Sequence, residues 1–389
     1  MAEPTIRKRK QPDAAVANGN YAAKQNGELS EHSPSGGSRV LSFALVFVTV
    51  FLLYQYPQPV KDLLSTWLGR PADELPGASR AMYIGLEADI PKRDAVVEAF
   101  KHAWLAYERD AMGSDEYHPI SFNGSDLTDA GGIGYTVVDS IDTMLLMGLN
   151  EEHARARDWV ANQMTFERDA KFNTFETTIR VLGGLLSAHH LSGDELYLEK
   201  AKDLADRILP AFDTPSGLPL SMVNLAKREG VSDRDNQGLV STAEAATLQL
   251  EFRYLSYLTD EDIYWKKAEK VMSVIKAARM PPGLASIFMN PNDGKFVTSA
   301  IRLGSRGDSF YEYLLKQYVQ TDQTETVYRD MYDDAVQAIH DHLIRRGMSS
   351  GLTYTAELIP ERDQAGQMCA LLPCLPIVPL ISICAARGA

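Results

Sequence analysis

Four groups of acidic residues have the types and spacing for chemistry. Asp139 and Asp142 lie three apart in Val138-Asp139-Ser140-Ile141-Asp142-Thr143, a spacing that shares one face of a helix. Glu176 and Arg180 lie four apart, just before the apolar run Val181-Leu182-Gly183-Gly184-Leu185-Leu186. Asp308 and Glu312 are also four apart, two residues after Arg306. Glu244 stands alone among apolar neighbours in Ala243-Glu244-Ala245-Ala246. Each acid is expected near the N-terminal end of an apolar helix, and in a ring of helices such ends converge. Ordinary explanations exist for each group taken singly. A first-turn acid complements the helix dipole by about 0.3–1 kcal/mol, and an acid and an arginine four apart form a common surface pair. Against these, all four groups open helices that look buried, where an unpaired carboxylate is costly. Several carboxylates and two arginines around a cavity suit glycoside hydrolysis, in which one acid protonates the leaving oxygen and another activates water. The same groups could equally bind a cation or a sugar without chemistry.

The elements that must position these residues are helical. Apolar residues recur at three- and four-residue spacing over 95–112, 137–149, 154–164, 175–191, 196–212, 243–258, 263–278, 310–319 and 327–344. Strand-like alternation is scarce. The junction Leu191-Ser192-Gly193-Asp194-Glu195-Leu196-Tyr197 resembles Leu258-Thr259-Asp260-Glu261-Asp262-Ile263-Tyr264, and a third junction near Thr321-Asp322 leads into Tyr328. A recurring helix–turn–helix unit buries its apolar faces only against neighbouring units, as a solenoid or a closed α/α barrel. The long loops 213–241 and 280–309 favour a barrel whose loops build a site at one end.

The 389 residues, with 45% hydrophobic and 23% charged content, suffice for a sizeable core. A net charge of -13 argues against nucleic acid as a partner. The three cysteines, Cys369, Cys374 and Cys384, sit together near the end and suggest neither a disulfide framework nor a zinc site. Residues 1–39 are polar, with the basic run Arg7-Lys8-Arg9-Lys10, and read as a disordered cytoplasmic tail. The uncharged run 40–56 begins far from the N-terminus and lacks a small-residue cleavage site, so it is read as a signal anchor. Basic residues before it predict a type II protein with a luminal body. Residues 57–92 read as a stem, and Asn123-Gly124-Ser125 is a glycosylation sequon useful only in the lumen. The eight histidines show no metal spacing, and Gly183-Gly184 suits a close helix contact better than a phosphate loop.

At Val138–Thr143, Phe175–Leu186, Ser241–Phe252 and Gly304–Gln317 the chain resembles the class I α-1,2-mannosidases of glycoside hydrolase family 47, over residues 93–366. The likeness is greatest to the endoplasmic-reticulum type. It implies an all-α (α/α)7 barrel of helical hairpins, a bound calcium ion and inverting hydrolysis of α-1,2-linked mannose on high-mannose N-glycans. By motif, Glu176 matches the general acid and Asp308 a second catalytic carboxylate. Asp139, Arg180, Glu244 and Glu312 match groups lining the sugar pocket, and Arg306 matches a position contacting the oligosaccharide. The implied location is the endoplasmic reticulum membrane, with the Golgi as the alternative.

One departure bears on activity. Four hairpins and part of a fifth can be counted, so the barrel is expected to be incomplete. The carboxylate assigned as base and the threonine that binds calcium in the family have no match here. Residues 367–389 instead form an apolar tail with Pro373, Pro376 and Pro379, which cannot be an inner barrel helix. The expectation is an out-of-frame, intron-read or truncated end, no tight calcium site, and negligible mannose release from the chain as written. A non-catalytic glycan-binding protein and an unstable fragment are the alternatives.

Overall fold

The computed structural model describes residues 88–278, 283–362 and 368–373. The expected tail, the apolar run 40–56 and most of the stem lie outside the described residues. Among the described residues no helix is long and apolar enough to cross a membrane.

Helix α1 (Ile90–Ala111) starts inside the expected stem, because Asp89 accepts the N–H of Lys92 and Pro91 suits a first helical turn. Four helical hairpins follow. They are α2 (Tyr135–Met147) with α3 (Asn150–Asn162), and α4 (Gly183–Ser192) with α5 (Glu195–Ile208). Then come α7 (Gln249–Thr259) with α8 (Asp262–Ala278), and α9 (Asp308–Gln320) with α10 (Thr326–His342); a short α6 (Thr242–Ala246) precedes α7. The expected single helix over 243–258 is therefore two, broken at Thr247, whose hydroxyl bonds back to the Ala243 carbonyl at 2.6 Å.

First members of the hairpins pack on one another in the order α2, α4, α7, α9, and each packs on its own second member. The layer between them is the core. It is made by Val137, Ile141 and Met144 of α2, Leu185 and Ala188 of α4, Phe252 and Leu255 of α7, and Leu314 of α9, all without solvent exposure. The Gly183-Gly184 pair serves packing, as expected: a Cβ on Gly184 would stand 2.9 Å from Val138 Cγ1 and 3.0 Å from the Val138 carbonyl oxygen.

The repeated junctions are structurally equivalent. The second members α5, α8 and α10 each carry a tyrosine at the third residue, and that hydroxyl bonds to the second member of the hairpin before it. Tyr197 meets His153 at 3.0 Å, Tyr264 meets Asp206 at 2.6 Å, and Tyr328 meets Glu269 at 2.5 Å. All three tyrosines are buried. The seam at Tyr328 also holds Arg253, whose guanidinium lies 3.3 Å from the Trp265 ring centre and bonds to Glu325 at 2.7 Å.

Strands, scarce in the sequence pattern, do occur, as twelve short segments confined to the connections. They are two to six residues long, too short for alternation to register. A hairpin joins β1 (Glu116–His118) to β2 (Asn123–Ser125). β3 (Lys171–Asn173), β4 (Met222–Asn224) and β5 (Glu229–Val231) form one antiparallel sheet, and β6 (Val240–Ser241), β7 (Phe288–Met289) and β8 (Phe296–Val297) another. β9 (Ile344–Arg346) pairs with β10 (Thr353–Thr355), and β11 (Leu358–Arg362) with β12 (Met368–Pro373). The start of the proline-rich segment thus extends into a strand, which its prolines permit where they forbid a helix.

Candidate active site

Two sheets deliver two of the acids in the same way. β3 ends at Asn173, whose Oδ1 accepts the N–H of Glu176 at 2.7 Å, so Glu176 falls in the first turn of the helix that begins at Thr174. β6 ends at Ser241, whose Oγ accepts the N–H of Glu244 at 3.4 Å. A strand followed by an Asn or Ser cap with the acid three residues on is a helix-start pattern. Beyond Glu176 the chain is π-helical over Thr177–Leu182 before it continues as α4.

An open cleft of about 550 Å³ lies beside this helix start, lined by Asp115, Glu116, Tyr135, Asp139, Asn173, Glu176 and Arg180 among others. Arg180 is its electrostatic centre. Its Nε donates to Glu176 Oε2 at 2.7 Å, and a terminal nitrogen reaches Asp139 Oδ2 at 3.3 Å. Burial pushes the Asp139 carboxyl up, while Arg180 pulls it back. The hydrogen bond it donates to Glu176 raises Arg180, which stays charged.

Glu244 forms a second pair. Arg306 approaches it to 3.9 Å and stacks 5.1 Å from the ring centre of Phe288, which is the register partner of Ser241 in the sheet. Arg306 holds a left-handed backbone, φ 73°, with its carbonyl accepting the N–H of Ala243 at 3.0 Å. A non-glycine residue in that conformation is uncommon and is retained where the surroundings fix it. Burial pushes Glu244 up, with Arg306 and the Asn173 amide opposing and the charge of Glu176 adding.

The sequence-derived candidates separate into groups. Asp139, Glu176 and Arg180 come together, and Glu244 and Arg306 form a pair within electrostatic reach of Glu176. Asp308 opens α9 as expected, but it and Glu312 are exposed and do not line the cleft; Glu312 pairs with Lys316 at 2.5 Å. Asp139 and Asp142 are not at a helix N-terminus as expected. They lie one and two turns into α2, and Asp142 accepts the Ser187 hydroxyl at 2.8 Å, tying α2 to α4. Asn123 is exposed on β2, beside Ser121. His189 and His190 point apart, to the Asp194 carbonyl and the Tyr254 hydroxyl.

Two contributors escaped sequence reasoning. Asn173 was legible as a cap three residues before Glu176. Asp115 carried no signal at all. It is 3% exposed, and its carboxylate takes the N–H groups of Ile133, Gly134, Tyr135 and Leu127 at 2.8–3.2 Å, capping α2 from a distant loop.

Calcium needs about six to eight oxygen ligands. Among the described residues no three His, Cys, Asp or Glu side chains converge on a point that could hold an ion, and the cleft carboxylates Asp139 and Glu176 are both paired with Arg180, so these residues do not fit the ion.

A sequence profile for glycosyl hydrolase family 47 matches residues 99–374, reaching into the proline-rich segment. A mannosyl-oligosaccharide 1,2-alpha-mannosidase of Candida albicans is 49% identical over 263 residues, 68% of this chain and 46% of that protein. The endoplasmic reticulum mannosyl-oligosaccharide 1,2-alpha-mannosidase of Schizosaccharomyces pombe is 42% identical over 323 residues, 82% of this chain and 58% of its own. The human protein of that description is 42% identical over 277 residues, 39% of its length. The chain thus spans about half the length of the curated relatives it matches. Among solved structures, an alpha-1,2-mannosidase from Trichoderma reesei superposes with a TM-score of 0.62 at 30% identity, over 69% of this chain and 59% of that one. The helical hairpins described above follow its architecture.

Proposed function

The chain belongs to glycosyl hydrolase family 47 and has its (α/α)7-barrel fold class, and from that premise we propose that it acts as a mannosyl-oligosaccharide 1,2-α-mannosidase. Its substrate would be α-1,2-linked mannose on high-mannose N-glycans, removed by inverting hydrolysis. The observation that carries this reading is Glu176, fixed at a helix start in an open cleft with Arg180 gripping one carboxylate oxygen.

In this reading Glu176 is the general acid. Arg180 holds Oε2, so Oε1 is the atom that brings a proton to the leaving glycosidic oxygen. Asp139, Arg180, Glu244 and Arg306 would hold sugar hydroxyls. Asp308 is assigned as a second catalytic carboxylate and Glu312 as a sugar contact; Asp308 opens α9, the helix that follows Arg306, and Glu312 lies one turn further on. Inversion requires an acid and a base about 6.5–9.5 Å apart with water between base and sugar.

Incubation with a high-mannose glycan tests the reading, both on this chain, from which little release is expected, and on one continued by a relative's C-terminal half. Mannose release that falls sharply in Glu176→Gln supports it. Binding of the glycan without release, unaffected by Glu176→Gln, would replace it with a non-catalytic glycan-binding role.

The relatives' names place them in the endoplasmic reticulum. We propose the same membrane for this chain, in type II orientation with the body luminal and Asn123 carrying a glycan. Synthesis with microsomes should add one endoglycosidase-sensitive glycan that Asn123→Gln abolishes. A protease-exposed, unmodified body would overturn the topology.

A further inference from the structure

We propose that Tyr135 is a positioning residue for Glu176: its hydroxyl, through Thr177, holds the π-helical stretch that aims Glu176 and Arg180 into the cleft. This rests on the reading of Glu176 as the proton donor.

Thr177 directly follows Glu176, opens the π-helical stretch and is wholly buried. Its neighbour Thr178 does what threonine ordinarily does in a helix, bonding back to the Thr174 carbonyl at 2.8 Å. Thr177 does not. Its Oγ1 lies 2.7 Å from the hydroxyl of Tyr135, the first residue of α2. Tyr135 is anchored in turn, since Asp115 Oδ1 accepts its backbone N–H at 3.1 Å along with those of Ile133 and Gly134. Gly134 adopts φ 82° at this point, and a Cβ there would strike the Trp159 ring at 2.4 Å, so the backbone entering Tyr135 has little freedom. A chain of contacts therefore runs from Asp115 through Tyr135 and Thr177 to Glu176. On the other side, Asn173 holds the Glu176 N–H.

A π-helical turn is rare, and such turns are frequent at functional sites. It persists where the surroundings over-determine it. Here it places Arg180 to meet both Glu176, one turn earlier, and Asp139 on α2. Without the Tyr135 hydroxyl, the Thr177 hydroxyl has only local backbone carbonyls to turn to. The stretch would then relax toward ordinary helix, and Arg180 would rotate away from Asp139.

The test uses the full chain, with amide hydrogen exchange over Thr177–Leu182 and, in parallel, kcat and KM for a high-mannose glycan. Tyr135→Phe and Thr177→Val should each speed exchange of these amides about fivefold, the scale of one lost net hydrogen bond. Each should lower kcat about tenfold or more with KM unchanged, the signature of a displaced proton donor. The double variant should add nothing to either single one, and Thr177→Ser, which keeps the hydroxyl, should behave as the wild type. Unchanged exchange in both variants overturns the proposal. So does a raised KM at constant kcat, which would mean that Tyr135 touches the sugar itself. Where the unsubstituted chain releases no mannose, the exchange rates alone decide: faster exchange in Tyr135→Phe and Thr177→Val with wild-type exchange in Thr177→Ser supports the proposal, and equal rates in all overturn it.

Discussion

Arg180 in the cleft and Arg253 in the outer seam look alike on paper. Each gathers two carboxylates from different elements: Glu176 and Asp139 for the first, Glu325 and Glu269 for the second. Their surroundings differ. The side chain of Arg180 is 47% exposed, and its partners are about as open. That of Arg253 is 12% exposed, lies flat on Trp265 and accompanies the buried Tyr328. The seam arginine has been taken out of water to join three helices, while its partner Glu269 keeps 38% of its side chain exposed. The cleft pair has been left wet, with carboxylate oxygens able to exchange water for a ligand. Convergence of charges alone does not mark a site; convergence that remains accessible does.

The comparison breaks most visibly at Glu176. In a chain continued by a relative's C-terminal half, Glu176→Gln should lower mannose release about 10²- to 10⁴-fold, the range for losing a general acid. It should scarcely change the unfolding midpoint, because a half-exposed ion pair contributes little. A variant that unfolds early yet turns over normally would assign Glu176 to the scaffold.

Arg253→Ala should do the reverse. Losing the buried cation leaves Glu269 and Glu325 facing each other and strips the Trp265 face, a cost of about 3 kcal/mol. Denaturant titration would show it, and a loss under about 1 kcal/mol would place this seam with ordinary surface pairs.

A smaller effect sharpens the contrast by pH. Glu251 on α7 has one carboxylate oxygen buried without a partner among the described residues, while the other accepts the Tyr313 hydroxyl at 3.0 Å. Burial pushes this carboxyl up to about 7. The folded chain thus holds a proton that the unfolded chain releases near its ordinary value, so this contribution is full at low pH and is lost as pH rises through about 7. Between pH 5 and 8 the loss should be about 2 kcal/mol. Carboxylates with lowered values, such as the exposed Asp89 and the partly buried Asp110, act oppositely at lower pH. The measurement is therefore the difference between the wild type and Glu251→Gln, whose stability should be flatter over that range. Parallel curves would refute a protonated Glu251.

Much of this was legible because it is local. Three- and four-residue apolar spacing located the main helices to within a few residues, and Leu196-Tyr197 and Ile263-Tyr264 disclosed a repeat before their hydrogen bonds were seen. The break at Thr247 was not legible, since a hydroxyl bonding its own helix leaves no mark in hydrophobic pattern. Nor were the short strands, which are held by pairing with distant segments rather than by their own composition.

The sequence by itself determined where most helices form and that Glu176, Glu244 and Asp308 stand in a first turn, because caps, first-turn carboxylates and apolar periodicity act over a few residues. It placed Glu176 and Arg180 together, since four residues along a helix make them neighbours. Tertiary structure decided the rest. It brought Asp139 from α2 to the same arginine, carried Arg306 over Phe288 toward Glu244, and sent Asp142 into a helix contact instead of the cleft. It also recruited Asp115, whose four backbone donors lie 12 to 20 residues away in the chain. A carboxylate's role is fixed by which donors reach it and how much water remains, and both are properties of the packed fold.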